Sequence, residues 1–165
     1  MKEKFIKYYM DVAELTSKLS SAIRLQVGAV IVRDRTILAS GYNGMPTGWD
    51  NECEYKDYYP GEGDLELYPL LEYDKEVESN RRYRLVTKDE VLHAESNTIA
   101  KLASSNESCV DATLFITHAP CIHCAKLIYQ SGIKNMYYRN QYRDDSGLDF
   151  LKKGGVNVTR YLAQD

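Results

Sequence analysis

Between residues 3 and 19, Phe5, Ile6, Tyr9, Val12, Ala13 and Leu19 recur at mostly helical spacing with charges between them, which predicts an amphipathic helix. Residues 27–32 are short and β-branched, Asp34-Arg35 turns the chain, and residues 36–40 return, so the pair reads as a hairpin. Gly41-Tyr42-Asn43-Gly44 follows as a loop of turn residues. The pattern resumes at Val91 with a helix over 91–103, a strand over 112–117 and a helix over 121–130 closed by Gly132. A strand over 135–139, a short helix over 148–153 stopped by Gly154-Gly155, and a strand over 156–160 complete the chain. Helices alternating with short strands after a hairpin predict an α/β fold, a three-layer α/β/α sandwich around a mixed sheet of about five strands.

From residue 45 to 88 the periodicity is lost. This stretch holds three of the four prolines (Pro46, Pro60, Pro69), the only tryptophan, Trp49, and six of the 14 tyrosines. It predicts a Tyr-rich insertion at about 49–88, irregular except for one short helix around 65–71, within a single domain spanning 1–165. A chain of 165 residues is about one domain's worth. Its 44% hydrophobic and 27% charged residues exclude a disordered or fibrous class. No apolar run approaches the ~20 residues that span a bilayer, and the first residues lack the apolar core of a signal peptide. The expectation is a soluble, cytoplasmic protein with no membrane partner.

Charge refines the picture. The formal net charge is −3, yet residues 50–79 hold 11 acids against Lys56 and Lys75, leaving +6 on the remainder. An acidic insertion on a mildly cationic scaffold suits a small anionic ligand better than nucleic acid, which asks for broad basic surfaces.

Two short pieces carry candidate chemistry, His93-Ala94-Glu95 and Pro120-Cys121-Ile122-His123-Cys124. Each alone is weak, since a Cys-x-x-Cys can be a redox pair, a metal clip or two buried thiols. Together they form the zinc nucleobase deaminase signature. His93, Cys121 and Cys124 supply three zinc ligands and leave the fourth position to water, as catalytic zinc sites do. Three residues apart at a helix start, both sulfurs face one way, and the helix dipole favours thiolates there. Glu95 separates a catalyst from a structural site, because deamination needs protons moved from water to a ring nitrogen and then to ammonia. On a regular helix, residues 93 and 95 point about 200° apart. Both serve one centre only if the metal lies off the helix's N-terminal end. Thr87-Lys88-Asp89-Glu90 reads as a competing capping box; the chemistry favours a start nearer residue 91. Cys53 and Cys109 read as ordinary reduced thiols. His118 and His123 flank the cysteines, but three ligands are already in hand.

With these motifs, and with Val27-Gly28-Ala29-Val30-Ile31-Val32, the Gly-Tyr-Asn-Gly loop and Tyr142, the chain resembles the phage-type deoxycytidylate deaminases of the cytidine deaminase superfamily. The resemblance implies a hydrolase converting dCMP to dUMP and ammonia for thymidylate synthesis, with one catalytic Zn2+ per chain. It implies sugar–phosphate contacts from Asn43 and Tyr142, backbone groups around Ala94 and Ala119 reading the cytosine, and Arg24 on the phosphate. It also implies a hexamer activated by dCTP and inhibited by dTTP with Mg2+, with Tyr42, Asn43 and Gly44 contributing to that regulatory site. The alternatives are plainer: Gly41 and Gly44 as turn glycines, Tyr142 and Arg24 as surface residues. A deaminase acting also on dCTP, on tRNA adenosine or on single-stranded nucleic acid shares the zinc signature. A non-catalytic zinc module is the remaining class, and an intact Glu95 argues against it.

Overall fold

The computed structural model describes residues 1–162; the last three positions of the expected 1–165 domain lie outside the described residues. The chain runs α1 (Glu3–Ser17), β1 (Gly28–Arg33), β2 (Thr36–Tyr42), β3 (Glu54–Tyr58), a 3-10 turn (Leu65–Leu67), β4 (Leu70–Asp74) and β5 (Ser79–Thr87). It continues through α2 (Ala94–Ala103), β6 (Thr113–His118), α3 (Ile122–Gln130), β7 (Asn135–Asn140), α4 (Ser146–Lys153) and β8 (Asn157–Arg160). Five strands form one sheet in the order β2-β1-β6-β7-β8. β1 runs antiparallel to β2 and β6, whereas β6, β7 and β8 are parallel, so the sheet is mixed as expected.

The alternation of side chains sorts the core into two layers. Ala29, Ile31, Leu114, Ile116 and Met136 face one way and pack with Ala94 and Leu102 of α2, Ala125 and Ile128 of α3, and Leu148 and Leu151 of α4. Val30, Val32 and Phe115 face the other way against Tyr9, Met10 and Ala13 of α1. This is the three-layer sandwich, with α1 alone on one side. Among the described residues, no helix is long and apolar enough to cross a membrane.

Two expectations need correction. The insertion is not irregular: β3, β5 and β4 form a second, three-stranded antiparallel sheet, and its only helix is the short turn at Leu65–Leu67. None of its strand residues is fully buried, so it lacks the apolar face that sequence periodicity detects. Cross-strand pairs hold it instead: Lys56 with Glu72, Arg81 with Asp74 at 2.8 Å and Arg84 with Asp57 at 2.6 Å. β5 thus carries arginines that belong with the insertion's acids. Counted over 50–88, the insertion holds 11 acids and six bases, a net of −5, which leaves the rest of the chain at +2 rather than +6.

The second correction is the start of α2. Leu92 exchanges main-chain hydrogen bonds with Gly44, at 2.9 and 3.1 Å. That bridge holds the backbone extended through His93, so the helix begins at Ala94, three residues later than expected.

Candidate active site

Three loops converge at the ends of β1, β2 and β6. His93 is the N-cap of α2 and Cys121 the N-cap of α3, and neither side chain caps its helix. Such positions normally hold Ser, Thr, Asp or Asn, whose oxygen satisfies a first-turn N–H. Here the two side chains are released to face each other across the gap between helix ends. Proximity to both N-termini favours negative charge on the sulfurs. The close packing behind these loops depends on missing side chains. A Cβ on Gly147 would lie 2.2 Å from the Pro120 carbonyl oxygen, so α4 rests directly on the peptide leading to Cys121. A Cβ on Gly41 would lie 2.4 Å from Thr98 Oγ1, so β2 abuts α2; Gly41 is a packing glycine rather than a turn glycine.

His93 Nδ1 lies 3.4 Å from Cys124 Sγ and 3.7 Å from Cys121 Sγ, and all three donor atoms lie within 4.8 Å of one another. Zinc bonds of about 2.3 Å to sulfur and 2.0 Å to nitrogen, at a tetrahedral angle, put those atoms roughly 3.5 Å apart. The donor set therefore fits zinc in spacing and in chemistry. Among the described residues it is the one such group of histidine, cysteine and acidic side chains.

Glu95 sits in the first turn of α2 with 4% of its surface exposed. Burial pushes its carboxyl up to about 7. Hydrogen bonds from Cys124 and His93 pull the Cys121 thiol down to about 3. Cys124, bonded to that thiolate and buried, is held well above the ordinary thiol range. His93 is raised chiefly by its bond to Cys121. A metal taking all three lone pairs displaces the protons that these groups share.

A cavity of about 490 Å³ opens over this cluster. His93, Glu95 and Cys121 line it together with Arg24, Asn43, Ala94, Ala119 and Tyr142, so the residues expected at the substrate share one wall system. Asn43 spends its side chain on the neighbouring loop: its Oδ1 accepts from the Val27 N–H at 2.7 Å and its Nδ2 donates to the Leu25 carbonyl at 2.8 Å. Tyr142 is half-buried, packs on the main core, and has the Arg143 guanidinium 5.6 Å from its ring centroid. Tyr42 and Gly44 are not in the lining. The carbonyl of Tyr42 accepts from Asn97 Nδ2, its ring lies 5.5 Å from Lys101 Nζ, and Gly44 is in the bridge to Leu92.

Sequence reading missed Glu54, Thr87, Gln141 and Arg143 and considered His118 only as a fourth metal ligand; all five line the cavity. His118 could have been found from its place beside Ala119. Burial lowers its pKa, and its Nδ1 lies 3.1 Å from Thr117 Oγ1. Glu54 was one of 11 acids in a stretch with no periodicity and carried no local signal. His123 faces solvent on α3.

Residues 3–140 match the family described as the cytidine and deoxycytidylate deaminase zinc-binding region. The chain belongs to that family. Against the deoxycytidylate deaminase of Enterobacteria phage T4 it is 31% identical, over 90% of this chain and 86% of that one. Against the deoxycytidylate deaminase of Mycobacterium phage D29 it is 32% identical, over 80% and 91%. A crystal structure of the dCMP deaminase of cyanophage S-TIM5, in complex with dCMP and dUMP, superposes with a TM-score of 0.76 at 38% identity, covering 98% of this chain and 99% of that one. As a member of the deaminase family, the chain has the expected five-stranded mixed sheet and a His/Cys/Cys set in the family's zinc-binding region.

Proposed function

We propose that the chain catalyses the hydrolytic deamination of dCMP: water adds, ammonia leaves and dUMP is formed. One observation carries the reading. A zinc-type donor set, a buried carboxyl poised near neutrality and the Arg24 guanidinium line the same cavity. The similarity to phage deoxycytidylate deaminases along most of the chain supports it.

His93, Cys121 and Cys124 would hold the zinc, which when bound supplies a Lewis acid that lowers the pKa of a water beside it. The rest falls to the chain. Burial raises the Glu95 carboxyl above the ordinary carboxylate range, which suits a group that must both take up and release protons. Glu95 can therefore take a proton from water, pass it to N3 of the pyrimidine and deliver the next to the departing amine. Its burial keeps bulk water from competing for those protons. The N–H of Ala94, in the first turn of α2, has no acceptor within the helix and is available to the pyrimidine edge. The Ala119 N–H is already given to the Asn140 carbonyl, so Ala119 offers its own carbonyl. Arg24 takes the phosphate, and Tyr142 and Arg143 line the same cavity. Asn43 serves the sugar–phosphate end by fixing the backbone at Leu25 and Val27.

The same reading extends to assembly as a hexamer and to control by dCTP and dTTP with Mg2+ at the Tyr42-Asn43-Gly44 loop. The Lys101 ammonium beside Tyr42 supports a triphosphate there, and exposed Leu15, Leu19 and Ile23 supply apolar surface suited to a subunit contact.

The test is ammonia release and loss of ultraviolet absorbance with dCMP, deoxycytidine, dCTP and a single-stranded oligonucleotide side by side. dCMP should be the best substrate by kcat/KM. Turnover of the oligonucleotide in preference to dCMP would overturn the proposal.

A further inference from the structure

Arg24 lies in the irregular segment between α1 and β1, yet it is held from two sides by the insertion. Glu54, the first residue of β3, accepts hydrogen bonds from the Ile23 N–H at 3.1 and 3.2 Å to its two oxygens, and from the Arg24 N–H at 3.1 Å. Thr87, the last residue of β5, accepts from Arg24 Nη1 at 3.0 Å. Glu54 and Thr87 are register partners, so they stand side by side at the root of the second sheet. One fixes the backbone of Arg24 and the other its guanidinium. Asn43 clamps the next residues from the core side. The guanidinium has five N–H donors and gives one to Thr87. Among the described residues it forms no ion pair, whereas Arg81 and Arg84 of the insertion are paired with Asp74 and Asp57. Arg24, Glu54 and Thr87 all line the cavity that contains Glu95. An arginine oriented in this way, with donors to spare, matches the fork geometry by which arginine grips phosphate oxygens.

We propose that Glu54 and Thr87 are positioning residues that aim Arg24 at the substrate's phosphate, so that the root of the insertion decides between a nucleoside monophosphate and a nucleoside. The inference rests on the dCMP reading and adds a task for the insertion. Glu54 acts through the main chain of Ile23 and Arg24. Loss of its two acceptor oxygens frees the main chain at Ile23 and Arg24 and scatters the guanidinium, and misplacement of a binding group by about 1 Å can cost up to about a hundredfold.

The experiment measures kcat and KM for dCMP and deoxycytidine, together with inhibition by dUMP against deoxyuridine, in the full zinc-loaded chain. Glu54→Ala should raise the KM for dCMP about tenfold or more, with a much smaller change in kcat and little change for deoxycytidine. Glu54→Gln keeps an oxygen that both N–H groups can reach and should recover most of that loss. Thr87→Val, which removes only the hydroxyl acceptor at nearly constant volume, should weaken dUMP and spare deoxyuridine. It remains informative if Glu54→Ala folds poorly. An unchanged preference for dCMP in Glu54→Ala and Thr87→Val, or equal losses for nucleotide and nucleoside, would overturn the positioning role alone. A wild-type protein that does not deaminate dCMP would overturn the proposed function and this role with it.

Discussion

The two sheets of this molecule are held together by different physics. In β1 and β6 nearly every residue is buried, and Ala29, Val30, Ile31, Leu114, Phe115 and Ile116 are fully enclosed between helices. In the insertion sheet no strand residue is buried. Its main-chain ladders are supported by ion pairs and by cations over tyrosine rings: Arg81 lies 4.1 Å from the Tyr58 centroid, and Lys56 and Arg84 lie 5.0 Å from those of Tyr83 and Tyr68. Burial gives a large stabilisation that salt and pH barely touch, whereas exposed charge pairs contribute little and are screened. The chemistry is mounted on the rigid sheet. The softer one contributes only at its root, where Glu54 and Thr87 meet Arg24.

This contrast can be broken, and the largest expected effect is in the core. Phe115 is stacked on Tyr137 with ring centroids 5.1 Å apart and also contacts Tyr9. Phe115→Ala should cost roughly 3–5 kcal/mol, lowering Tm by roughly 10 °C in a thermal melt. A loss of only a degree or two would show that the core is not what holds the domain. Next comes the support behind the metal loop. Gly147→Ala forces a methyl against the Pro120 carbonyl, and it should weaken zinc roughly tenfold or more in competition with a chelator. Unaltered affinity would mean that α4 does not position Cys121.

Smaller effects are expected in the insertion. Arg81→Ala removes both the bond to Asp74 and the cation over Tyr58. Amide exchange in β4 and β5 should accelerate while the Tm of the whole chain barely moves; a fall like that of Phe115→Ala would erase the distinction. Acid gives the mildest test. Asp74 and Glu72 have lowered pKa values, chiefly through hydrogen bonds from Arg81 and Lys56 respectively. Their contribution is complete above the ordinary carboxylate range and is lost as pH falls through the lowered folded values. Exchange corrected for its intrinsic pH dependence should therefore rise in β4 and β5 below about pH 4, before it rises in β1 and β6.

The same division explains what could be read from the chain. The five core strands and four helices were legible because buried strands and amphipathic helices impose their periods on the sequence. The candidate donor set His93, Cys121 and Cys124, and Glu95 in the same cavity, could be proposed from sequence because metal chemistry asks for particular residue types at short spacing. The insertion sheet was not, because a sheet with no buried strand residue leaves no apolar alternation, and its cross-strand partners, such as Asp57 and Arg84, are charged. The true start of α2 depends on a bridge from Leu92 to Gly44, distant in sequence. Glu54 and Thr87 reach Arg24 across 30 and 63 residues, and nothing local marks that meeting.

The central claim is that Glu95 moves the protons in a site whose metal is held by His93, Cys121 and Cys124. Glu95→Gln tests it most directly, by zinc content, dUMP affinity and turnover of dCMP measured on one preparation. The account predicts one zinc per chain, near wild-type affinity for dUMP and turnover reduced by roughly a thousandfold or more. Turnover within a few-fold of wild type, with zinc and dUMP still bound, would contradict it.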